Sequence, residues 1–196
     1  MSESPWGHSI TPPPVEAAEL AAMAVDAVRH RFGVDLDLTS DTLPFLDQLT
    51  IEQRQAPGGV RQLFASAAGA YLGETLRRTF GGIWHLGDGP RDPMTWTVRF
   101  LSCPLAIRPV ALGLEIFLRK APEEPALVVA PRWSDALEGA LSSAAPVGED
   151  EYFSFCGRYD ALHLVVDVLT NIEQMSARQE KRPPKLYGAD DPADLI

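Results

Sequence analysis

Four histidines, two cysteines and a few clustered charges are the residues of this 196-residue chain whose types could do chemistry. His8, His30, His85 and His163 never fall into H-x-x-x-H, and no H-E-x-x-H occurs, so the spacings that announce a zinc site are absent. No metal and no other cofactor is expected. Cys156 and His163 are seven residues apart on one helix face, about 10.5 Å along its axis, too far for a thiolate–imidazole pair. Cys103 and His85 could meet across adjacent strands as nucleophile and base. A free cysteine before Pro104 in an apolar setting nevertheless reads more readily as a small core residue. Neither a G-x-S-x-G elbow nor a phosphate-binding P-loop is present, and no residue is assigned a catalytic role.

The remaining candidates are charged. Glu74 precedes Arg77 and Arg78 by three and four residues, the spacing of an ion pair on a helix surface. If Glu74 is buried, it becomes a carboxylate holding a strand backbone or Arg99. Arg77, Arg78 and Arg91 could cluster near the turn at 81–94 and receive an acidic partner.

Helical spacing of Ala18, Leu20, Ala21, Val25, Val28 and Phe32 predicts a helix over Val15–Phe32, with Pro14 at its start and Gly33 as its stop. The alternation in 34–38 suggests a short extended piece, after which Ser40 or Asp41 could cap a helix carrying Leu43, Leu46 and Leu49. A long helix is expected from Val60 to about Phe80, where Gly69 and Gly73 share a face and invite close approach by another element. Strands are expected over Ile83–Leu86 and Thr95–Leu101, joined through the turn at 87–90. Further helices are expected over about Pro109–Lys120, Ser134–Leu141 and about Glu151–Gln179, with a short strand at 127–129. The expected architecture is α+β: one domain over 15–180 with several helices packed on a small antiparallel sheet, a proline-rich arm at 1–14 and an acidic, disordered tail at 181–196.

The string Gly69-Ala70-Tyr71-Leu72-Gly73-Glu74, followed by Arg77-Arg78 and Gly81-Gly82-Ile83-Trp84, resembles a motif of small uncharacterised bacterial proteins, G-x-Y-x-G-E…G-G-x-W. The run Leu36-Asp37-Leu38-Thr39-Ser40, with Leu43 and Leu46-Asp47, is similar to one that precedes the motif there. The resemblance covers roughly residues 34–118. It implies a helix delivering directly into a strand, with Tyr71 and Trp84 on the core side, and it carries over no catalytic residue.

Composition narrows the function classes. Seventeen basic and twenty-seven acidic residues give a net charge of −10, which disfavours binding to polyanions and to an anionic bilayer. The charge is uneven: residues 16–52 carry −6, residues 53–120 carry +5, and residues 121–196 carry −8. No apolar stretch is long enough to cross a membrane, Met1 to Pro14 lacks the features of a secretion signal, and two cysteines fit a reducing cytoplasm. The expectation is a non-catalytic cytoplasmic module that binds a protein partner, an adaptor or immunity-like binder. Its candidate binding residues are Tyr71, Glu74, Arg77, Arg78, Trp84, Arg91 and Arg99. The alternative is a small enzyme or ligand-binding protein whose pocket gathers Glu74, His85, Arg99 and Cys103 into one cleft.

Overall fold

The computed structural model describes residues 12–87, 89–121, 124–142 and 145–180; the calls on an arm and a tail at 1–11 and 181–196 lie outside them. Helix α1 (Val15–Phe32) buries the stripe Ala17, Ala21, Ala24 and Val28. Gly33 ends it in the left-handed conformation at φ 70, its N–H returning to the Arg29 carbonyl. The next segment, expected as a short extended piece, pairs with no strand among the described residues. Leu38 turns to φ 62, and its N–H donates to Tyr71 Oη at 2.7 Å, so the chain hangs from a side chain rather than from a ladder. Neither Ser40 nor Asp41 caps the following helix; a 3₁₀ turn over Ser40–Thr42 leads into α2 (Leu43–Gln53).

Helix α3 (Gly58–Phe80) is the axis of the molecule. Every residue from Ala67 to Arg77 is buried, the pattern of a helix enclosed on all sides. Helix α1 packs on one flank and α4 (Pro109–Leu118) on another, with α3 and α4 in the most extensive contact of the fold. The two glycines read from the sequence explain that approach. A methyl at Gly69 would stand 2.3 Å from the Pro109 carbonyl oxygen, and one at Gly73 would meet the Pro109 ring at 2.6 Å. Gly113 of α4 answers them, its missing Cβ lying 2.3 Å from the Ala65 carbonyl oxygen.

Gly81, at φ 73, turns α3 directly into β1 (Gly82–His85). Strands β2 (Thr97–Phe100), β3 (Leu105–Ile107) and β4 (Leu127–Val129) complete an antiparallel sheet in sequential order. All three residues of β3 are buried, and it pairs with β2 on one side and β4 on the other. Helices α5 (Pro131–Leu141), α6 (Glu149–Tyr152) and α7 (Phe155–Gln179) follow. The expected single last helix is interrupted at Phe153–Ser154, because Ser154 caps α7 by accepting from Gly157 N at 2.9 Å. Asp47 of α2 reinforces that cap, accepting from Phe155 N at 2.6 Å and Cys156 N at 3.2 Å. The result is a single-domain α+β fold of seven helices and four strands among the described residues. No described helix is long and apolar enough to cross a membrane.

The glycine contact gives a sign-reversing prediction. Gly→Ala inside a helix ordinarily stabilises by up to ~1 kcal/mol. Gly139→Ala on α5, where a new Cβ meets nothing within 4 Å, should follow that rule. Gly113→Ala should instead destabilise by about 2–3 kcal/mol, because α3 and α4 must separate to admit the methyl. Urea midpoints moving in opposite directions for the two variants check this.

Candidate functional site

Six of the seven residues singled out from the sequence lie on α3, β1 and β2, with Arg91 on the turn between the strands, but they do not form one site. Glu74 is 4% exposed. Its Oε2 accepts from Arg77 Nε at 2.8 Å and Trp84 Nε1 at 3.0 Å; its Oε1 accepts from Arg77 Nη2 at 2.8 Å and Arg78 Nε at 2.9 Å. Burial opposes ionisation, but the bonds from Arg77, Trp84 and Arg78 and the charge of Arg77 outweigh it and hold the carboxyl below its ordinary value. Arg77 is 1% exposed, so it is an interior partner of Glu74 and not part of a surface cluster with Arg91. The carboxylate holds an indole of the first strand, neither a strand backbone nor Arg99. Tyr71 is equally internal: its Oη receives Leu38 N and shares a 3.0 Å bond with Thr42 Oγ1.

A cleft of about 280 Å³ opens between α1, the 36–38 segment and α3, with Tyr71, Glu74 and Arg78 in its lining. Asp37 also lines it, and its carboxyl is held below the ordinary value by bonds from the Thr39 hydroxyl and N–H and the Thr42 hydroxyl, against the opposing effect of burial. Every polar group named in this cleft already has partners within the chain, so its chemistry is that of a joint between elements.

The pocket gathering Glu74, His85, Arg99 and Cys103 does not form. Trp84 turns toward Glu74 and the core, so strand alternation sends His85 to the opposite face of β1. Arg99, paired with Ile83, shares that outer face with His85. Cys103 is fully buried elsewhere in the core. Burial pushes its thiol up to about 12, and burial together with Asp47 pushes Cys156 equally to about 12, so neither supplies a thiolate near neutral pH. Arg91 lies exposed on the turn before β2.

Other features had no sequence signal strong enough to single them out. Glu115 and Arg158 form a second buried ion pair at 2.5 Å, with the Arg158 guanidinium 3.6 Å from the Tyr152 ring centroid. Their separation of forty-three residues hides the pairing. A groove of about 330 Å³ lies where α1, α2 and α3 meet, lined by Met23, His30, Leu49, Gln53, Val60 and Leu63 among others. Met23, Val60 and Leu63 are 42%, 50% and 49% exposed. Among the described residues no group of three His, Cys, Asp or Glu side chains could hold a metal ion.

Removing the Glu74 charge tests the network. Glu74→Gln should destabilise by about 3 kcal/mol or more, as loss of one partner of a buried ion pair does; Trp84→Phe, which removes one donor, should cost about 1–3 kcal/mol. Because the folded-state pKa of Glu74 is depressed, its stabilisation is complete above the unfolded carboxylate value of about 4.3 and is lost as pH falls through the folded value. The difference in urea midpoint between wild type and Glu74→Gln should therefore be constant near neutrality and shrink below about pH 4.

Comparison of the chain with family models, with curated proteins and with solved structures finds no match.

Proposed function

We propose that this protein is a non-catalytic interaction module whose binding surface is the groove between α1, α2 and α3, and whose partner presents an amphipathic helix with acidic residues along its flank. The observation that carries the reading is the coincidence of exposed apolar side chains with cations in a chain of net charge −10. Met23, Val60 and Leu63 offer an apolar floor suited to side chains at i, i+3 and i+4 of a docked helix. His30 and Arg31 line the same groove. Arg54, one residue beyond Gln53, and Arg61, between Val60 and Leu63, each hold a buried Nε without a hydrogen-bond partner. Arg31 is already bonded to Glu52 at 2.7 Å and 3.0 Å, so the cations with charge to spare are Arg54 and Arg61, each next in sequence to a groove residue. Cations so placed steer an acidic partner and fix its register.

The separation of Glu74 and Cys103, buried in the core, from His85 and Arg99 on the outer sheet face supports a binding role over catalysis. A cytoplasmic setting suits the reading, since both cysteines are free thiols. Kinship with the small bacterial proteins that share the G-x-Y-x-G-E…G-G-x-W string belongs to the same proposal.

Affinity purification of the full chain from its native cell should recover a stoichiometric partner. The double variant Val60→Glu/Leu63→Glu adds two carboxylates to exposed positions of the groove and should recover little of it, with its unfolding midpoint nearly unchanged. Equal recovery by the variant removes the groove from the reading, and no stoichiometric partner at all defeats the reading itself.

A further inference from the structure

The outer face of the sheet carries polar groups that the chain leaves unused. Strand alternation puts Ile83, His85, Thr97 and Arg99 together on the face turned away from Trp84, Val98 and Phe100. His85 stands opposite Thr97, and Arg99 stands opposite Ile83 on one side and Ala106 on the other. His85 and Arg99 are therefore diagonal neighbours, with Cβ atoms roughly 7–8 Å apart, a span that two long side chains bridge through one small group. His85 Nε2 and Arg99 Nε are both shielded from water and both lack a hydrogen-bond partner. A buried polar nitrogen left unsatisfied costs about 1–3 kcal/mol, and two on one small face, the Arg99 Nε donor and the His85 Nε2, call for an explanation.

Among the described residues, none supplies the missing acceptor. The register neighbours on this face, Ile83, Thr97, Ala106 and Val128, include no carboxylate. Elsewhere Arg31, Arg77, Arg108, Arg119 and Arg158 each reach one. The residue facing Arg99 from β3 is Ala106, whose side chain has no acceptor to offer the guanidinium.

We propose that this face is a binding site for a small carboxylate, held between the Arg99 guanidinium and the His85 imidazole N–H, with the Thr97 hydroxyl as a third donor. The site is separate from the α1–α2–α3 groove and stands or falls without it. Burial, and then the charge of Arg99, holds the His85 imidazole below its ordinary value. The ring is therefore neutral near pH 7 and donates through whichever nitrogen carries its proton. One fixed cation with neutral donors matches a singly charged oxyanion, and charge-assisted bonds of this kind are the stronger class.

Titration of the ¹⁵N-labelled full chain with sodium acetate, against sodium chloride at matched ionic strength, tests the site through the Arg99 Nε–H and His85 ring resonances. Acetate should shift both saturably and chloride should not. Arg99→Met and His85→Phe should each weaken acetate binding at least about tenfold, the loss expected for one charge-assisted hydrogen bond. Arg91→Met, on the exposed turn, should leave it unchanged. If Arg99→Met does not fold, Arg99→Lys keeps the charge, lacks the Nε–H and makes the same comparison. No saturable acetate shift, or unchanged affinity in the Arg99 and His85 variants, overturns the proposal. A response to inorganic phosphate with none to acetate overturns the carboxylate assignment.

Discussion

An ionised carboxylate in a protein interior costs several kcal/mol unless its lone pairs are occupied by well-placed donors. Glu74 meets that condition with four bonds, two from Arg77 and one each from Arg78 and Trp84. The consequence reaches beyond the ion pair. Trp84 lies on the strand that follows α3 after a single turn at Gly81, so the bond to its indole sets the angle at which the sheet leaves the helix. Gly73, beside Glu74, keeps α3 slim where the Trp84 ring and Pro109 both press on it; a methyl there would stand 2.8 Å from the indole. One turn earlier, Tyr71 holds the Leu38 backbone and Thr42 and so fixes the connection between α1 and α2. A few adjacent positions on α3 thus locate α1, α2, α4 and the sheet.

The parts of this arrangement that were legible in the sequence are those governed by local rules. Apolar periodicity located α1 and α3, Gly33 stopped α1, and the Gly69/Gly73 spacing foretold a close neighbour. What sequence reasoning missed was set by contacts distant in the chain. The alternation of Val34-Asp35-Leu36-Asp37-Leu38 imitates a strand, yet no strand is there to pair with it, and Tyr71 takes the Leu38 N–H instead. The break before α7 is made by the Ser154 cap and held by Asp47, more than a hundred residues away, a partner that no local pattern discloses. For the candidate site, spacing correctly joined Glu74 to Arg77 and Arg78, but it implied an exposed surface pair. Burial, which turns that pair into the centre of the fold, follows from the enclosure of α3 and not from the spacing.

The uneven charge is resolved in a similar way. Part of the basic middle segment closes on the acidic segment after it: Arg108 bonds Glu124, and Arg119 bonds Glu149 and Asp150 while lying over the Phe153 ring. Arg77 and Arg78 close on Glu74 within the segment itself. The positive charge left over is not a continuous band. It falls at separate places, with Arg54 just after α2, Arg61 near the start of α3, Arg99 on the outer sheet face and Arg91 on the turn before β2.

This distribution separates the residues that hold the fold from those with interactions to spare. Gly69, Tyr71, Gly73, Glu74, Gly82 and Trp84, the most distinctive string in the chain, are occupied with packing and internal hydrogen bonds. A Cβ at Gly82 would stand 2.9 Å from the Arg99 carbonyl oxygen, so even that glycine serves the join between β1 and β2. A residue whose donors and acceptors are all used inside the chain cannot offer them to a ligand without loosening the structure. The proposed recognition therefore draws on groups outside the string: the half-exposed Met23, Val60 and Leu63, and the unsatisfied nitrogens of Arg54, Arg61, His85 and Arg99. None of these belongs to a sequence motif, because a side chain waiting for an external partner has no internal spacing to keep. The motif in this protein thus encodes the scaffold, and the binding proposed for it draws on the residues that the scaffold leaves unpaired.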